Sequence, residues 1–73
     1  MKISVESYSG YKGAERPARF LLSEKVYEVK EIIDRWYSPG SSYFKILADD
    51  GNCYILKYNE VGDSWELTFY RKY

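Results

Sequence analysis

Seventy-three residues with 11 basic and 11 acidic side chains and no histidine suffice for one domain and not for two, since domains need roughly 50 residues or more each. The zero net charge removes the simplest argument for a nonspecific nucleic-acid or anionic-membrane binder. The missing histidine removes both the usual general base near neutral pH and the commonest metal ligand.

A chain this short buries only about 60% of the surface that it exposes when unfolded, so its two Trp, nine Tyr and three Phe must supply much of the core. The lone Cys53 can form neither an internal disulfide nor a thiolate metal site. Residues 1–8 alternate polar and apolar, unlike a signal peptide, and no apolar run reaches the roughly 20 residues of a membrane helix. The expectation is a monomeric cytoplasmic domain spanning residues 1–73, with no membrane contact and no metal.

Residues 2–8 alternate as a half-buried strand, with Ile3 and Val5 inward. Residues 9–17, with Gly10, Gly13 and Pro17, read as an irregular exposed loop. Residues 18–22 form a second strand, with Phe20 and Leu22 inward, and residues 23–25 a polar turn. From residue 26 to 37 two patterns compete. Val29, Ile32, Ile33 and Trp36 have the i, i+3, i+4, i+7 spacing of an amphipathic helix, but the β-branched and aromatic content suits a pleated sheet. We read a long strand with one bulge near Glu31–Ile33 that puts Val29, Ile32 or Ile33, and Trp36 on one face. Residues 38–42 read as a loop. Residues 43–48 and 53–58 form a hairpin through Asp49, Asp50, Gly51 and Asn52, with Asp-Gly supplying positive-φ positions, and Phe44 and Ile46 opposing Tyr54 and Leu56. A second turn at residues 59–64 leads into a strand in which Trp65, Leu67 and Phe69 alternate with polar neighbours. About six strands joined by short turns predict an all-β fold, a small strongly curved sheet or SH3-like barrel of mostly antiparallel strands. An oligonucleotide-binding-type barrel is the second choice, and a helix over residues 24–35 would favour it or another α+β arrangement.

Catalytic machinery is hard to find. Without histidine, Ser-His-Asp and Cys-His designs are impossible, and Cys53, in a predicted central strand, reads as a small buried hydrophobe. Asp49, Asp50, Glu60, Asp63 and Glu66 lack the spacing of a calcium loop. The sequence predicts neither a cofactor nor enzymatic activity. Gly10-Tyr11-Lys12-Gly13 has a G-x-x-G form, but it follows a strand and precedes a proline, where glycines serve a turn. Tyr8, Tyr11, Lys12, Arg16 and Arg19 interleave rings and cations around one segment, a composition able to stack bases and hold phosphates.

Gly10-Tyr11-x-Gly13-x-Glu15-Arg16-Pro17, Phe20, Val29, Asp34-Arg35-Trp36, Asp49-Asp50-Gly51, Tyr54-x-Leu56 and Trp65-x-Leu67 together resemble a small bacterial family of unknown function that accompanies Y-family-like DNA polymerase proteins of mutagenesis operons. The resemblance implies an accessory role near DNA repair and brings no known activity. It places Arg16, Arg35 and Tyr11 at motif positions. Two roles follow as expectations: a protein-docking module that grips a peptide with exposed rings or an edge strand, and a nucleic-acid-contacting module that uses Tyr8, Tyr11, Lys12, Arg16, Arg19 and Arg35. Zero net charge favours the first.

Overall fold

The computed structural model describes the backbone of residues 2–9 and 15–71 and the side chains of residues 2–7 and 16–68. Six strands follow one another: β1 (Lys2–Ser9), β2 (Glu15–Leu22), β3 (Lys25–Ser38), β4 (Ser41–Ala48), β5 (Cys53–Asn59) and β6 (Ser64–Arg71). Each pairs antiparallel with the next, and β6 returns to β1 through Lys2↔Glu66 and Ile3↔Trp65, closing a barrel. The fold is therefore the expected small antiparallel barrel, and the described residues contain no helix.

Two strands make the corners by changing partners part-way. The first two residues of β1 pair with β6, and the strand runs along β2 from Ser4 to Ser9. In β3, Lys25–Glu28 pairs with β2, and Val29 to Ser38 pairs with β4. One small sheet thus faces a larger one, an arrangement in which strands that switch sheets form the corners. The backbone N–H of Asp49 donates to the Glu28 carbonyl at 3.0 Å, tying the β4–β5 turn to the β3 corner.

The core lies between the two sheets. Phe20, Phe44, Ile46, Ala48, Tyr54, Leu56 and Trp65 form the buried cluster, with Ile3, Val5, Leu22, Tyr27, Val29, Ile32, Tyr58 and Leu67 packed around it. Phe44 opposes Leu56 and Ile46 opposes Tyr54, as the alternation predicts. Phe20 stacks on its ladder partner Tyr27 at 5.3 Å and joins the two sheets by meeting Tyr54 edge-on at 5.0 Å. At the other end Trp65 lies 5.7 Å from Phe44 and 4.9 Å from Tyr58. Aromatic pairs at these separations add to the free energy of burial.

Several local expectations need correction. The loop expected over residues 9–17 is shorter, because β1 runs through Ser9 and β2 starts at Glu15. Pro17 is buried within β2 at a bulge, where Ser7 pairs with Pro17 and Glu6 with Arg19, and a bulge tolerates a residue without an N–H. The loop at residues 38–42 shrinks to Pro39-Gly40. Gly40 has φ +79° behind a proline, the chemistry of a type II turn, and Ser41 and Ser42 are buried strand residues. Lys25 belongs to β3, leaving Ser23 and Glu24 as a two-residue turn in which both have positive φ. In the β4–β5 turn only Gly51 has positive φ. The Gly51 N–H donates to the Ala48 carbonyl and the Ala48 N–H to the Asn52 carbonyl, each at 3.0 Å, as in a three-residue hairpin loop ending on a left-handed glycine.

Candidate functional site

Among the described residues, the second half of β3 presents the largest exposed apolar side chains that share one strand. Trp36 is 39%, Tyr37 65% and Ile33 42% exposed. The sequence pattern predicts a single bulge that puts Val29, Ile32 or Ile33, and Trp36 on one face. The β3–β4 register instead shifts twice, between Val29 and Glu31 and between Ile32 and Asp34. The first bulge keeps Val29 and Ile32 against the core. The second turns Trp36 outward, opposite Tyr43, which alternates with the buried Ser42 and Phe44.

On that outer face Trp36 and Tyr43 stack with ring centroids 5.5 Å apart and planes 4° from parallel. Lys57, opposite Tyr43 on β5, holds its ammonium 5.8 Å from the Tyr43 ring. Glu66 faces Lys57 from β6 and accepts a hydrogen bond from Asn59 Nδ2 at 2.9 Å. That bond, with the charges of Lys57 and Lys2 nearby, holds the Glu66 carboxyl below the usual carboxylate range despite some burial.

Of the candidate residues named from sequence, Arg16, Arg19 and Arg35 have described side chains. Tyr11 and Lys12 lie outside the described residues. Tyr8 lies on β1 in register with the exposed Arg16 on β2. Arg19 is held between two carboxylates. Its Nε donates to Glu28 Oε2 at 2.7 Å and its Nη1 to Glu6 Oε2 at 3.4 Å. The Glu28 bond raises the Arg19 guanidinium further above its ordinary value and lowers Glu28 in turn. A guanidinium so engaged is poorly placed to seek a phosphate. Arg35 is exposed on β3 in register with Phe44, away from Arg16 and Arg19 in the ladder.

Arg35 matters through its backbone. The hairpin closes on Ser38↔Ser41 around two residues, and the closing pair of such a hairpin is hydrogen-bonded, so bonded pairs recur at every second residue. Asp34 and Trp36 therefore bond β4, and the backbone N–H and C=O of Arg35 and Tyr37 point the other way. The Arg35 N–H is accepted by its neighbour's Asp34 Oδ1 at 2.8 Å. Among the described residues no strand pairs with this side of Asp34–Ser38, since the β2–β3 ladder ends at Arg19↔Glu28. Past that point β2 and β3 part around a polar cleft of about 290 Å³ lined by Arg16, Pro17, Glu28, Lys30 and Glu31.

No family model, curated protein or solved structure matches the chain. Among the described residues, no helix is long and apolar enough to cross a membrane, and no three His, Cys, Asp or Glu side chains gather as a metal site would require. Cys53 is buried at the start of β5.

Proposed function

We propose that this protein is a non-catalytic docking module that receives an extended peptide segment along the free edge of β3. The observation that carries the reading is the turned-out backbone of Arg35 and Tyr37: among the described residues no strand pairs with it, and the Arg35 N–H is accepted by the adjacent Asp34 carboxylate. An unpaired ladder edge is a template for another strand. Strand addition supplies affinity through main-chain hydrogen bonds and selectivity through side-chain contacts, for which Trp36, Tyr37 and Ile33 stand exposed on or beside the edge. The absence of histidine supports a role without catalysis, and the resemblance noted in the sequence suggests partners among DNA-repair proteins.

The test is an amide NMR titration of the labelled chain with extended peptides enriched from a displayed random library. The expected result is shifts concentrated at residues 33–38 that disappear in Trp36→Asp. Failure of any peptide to enrich, or shifts confined elsewhere, overturns the reading. Titration with a short single-stranded oligonucleotide at low salt tests the nucleic-acid alternative. Salt-reversible shifts at residues 8–19 would put Tyr8 and Arg16 in its place.

A further inference from the structure

We infer that the strand that fits this edge is β3 of a second copy of the chain, in an antiparallel pair whose two-fold axis passes through Trp36. The inference rests on the docking reading above and names its partner.

The usable edge is short and regular. Upstream, the two bulges of β3 interrupt the strand. From Asp34 to Ser38 the residues pair one for one with Lys45 to Ser41, and the Pro39-Gly40 turn ends the strand. When a strand pairs antiparallel with its own copy in a continuous sheet, directly opposed residues share a face, so the two-fold axis passes through a residue position. Five positions can carry the axis, and their chemistry separates them.

An axis at Asp34 sets two carboxylates against each other, and one at Arg35 does the same with two guanidinium groups; like charges directly opposed destabilise a ladder. An axis at Tyr37 or Ser38 brings Pro39 or Gly40 of the turn opposite the strand, and Pro39 has no N–H to give. An axis at Trp36 places Arg35 opposite Tyr37 of the second copy, and Tyr37 opposite Arg35 of the second copy. These residues carry the outward-turned backbone groups, so the register forms four N–H···O bonds. It also brings each guanidinium to a tyrosine ring, an attractive pairing of cation and π face. Asp34 comes opposite Ser38 of the second copy. On the outer face the two Trp36 rings, each already stacked on its own Tyr43, meet at the axis. The Asp34 carboxylate that caps the Arg35 N–H must swing away as the pair forms, so it opposes dimerisation in the free chain.

Sedimentation velocity on the full chain, from about 10 µM to about 1 mM to span a weak self-affinity, reads the outcome directly. The expected mass rises with concentration from 8.7 kDa towards twice that value. Trp36→Asp stays monomeric, and Asp34→Ala dimerises at several-fold lower concentration than the parent. In a Cys53→Ala background, Trp36→Cys oxidises to a disulfide-linked dimer faster than Val61→Cys, placed on the exposed β5–β6 turn. Amide spectra check that each variant is folded, with Arg35→Glu as the second edge variant if Trp36→Asp is not. A parent chain that remains at 8.7 kDa throughout overturns the second copy as partner. A dimer that survives folded edge variants, or that Trp36→Cys fails to trap, overturns the β3 register. Neither result touches the peptide titration, which tests the docking reading separately.

Discussion

Tyr54 is almost wholly buried, yet its hydroxyl donates to Asp50 Oδ2 at 2.6 Å while Asp50 also accepts from the Asn52 backbone N–H and side-chain amide, each at 3.0 Å. Burial first, and then the Asp50 carboxylate, raises the Tyr54 phenol well above its ordinary value. Partial burial opposes ionisation of Asp50, but the hydrogen bonds from Tyr54 and Asn52 outweigh it and hold that carboxyl low. The raised phenol gives stability that is fully present below the ordinary tyrosine value of about 10 and is lost as pH climbs towards the folded value. The lowered carboxyl gives stability that is present above the ordinary aspartate value of about 3.9 and is lost as pH falls through the folded value. Urea unfolding should therefore show a plateau between roughly pH 4 and pH 10 with a decline on either side. Tyr54→Phe should lose about 1–2 kcal/mol at neutral pH and flatten the alkaline decline. Alternation in the sequence was enough to place Tyr54 inward. It could not reveal that the hydroxyl has a partner four residues back, because that depends on how the Gly51 turn folds Asp50 over the strand.

The turns and β3 show where an element follows its own residues and where it does not. Ser23 and Glu24 both sit at positive φ, 51° and 64°, in a two-residue hairpin turn of the kind that Asn-Gly favours. Non-glycine residues there are strained. Replacing the pair with Asn-Gly should raise stability by about 1–2 kcal/mol, measured by chemical denaturation, with the pairing of Leu22 to Lys25 unchanged. In β3, Val29 and Ile32 have helical spacing because a bulge between them resets a two-residue alternation, so that residues three apart share a face. The β-branched content pointed to the strand correctly. The second bulge, which sends Trp36 outward, leaves no mark in composition because it is imposed by the fit of β3 to β4.

Across the whole molecule, closure depends on pairs between opposite ends of the chain, Lys2↔Glu66 and Ile3↔Trp65, and on ring contacts between the two sheets. A protein of this length has only about 4–11 kcal/mol of net stability at the usual 0.05–0.15 kcal/mol per residue. Leu56, with no exposed surface, sits between Phe44 and Leu67 in the ladder. Leu56→Ala should cost about 2–5 kcal/mol, a large share of that total, and thermal melts should show the variant partly unfolded near room temperature if it falls at the upper end. Val61→Ala, at a site 87% exposed, serves as the contrast and should change stability by less than about 0.5 kcal/mol.

Hydrophobic alternation, turn residues and β-branched content are local properties, and they were sufficient for an all-β barrel, for the inward placement of Phe20, Phe44, Ile46, Tyr54 and Leu56, and for the Gly51 hairpin. Which surface residues meet is a matter of register, and a slip of one residue moves every side chain to the other face. Only the tertiary structure could therefore pair Arg19 with Glu28 and Glu6, turn Trp36 onto Tyr43, and leave the backbone of Arg35 and Tyr37 facing outward.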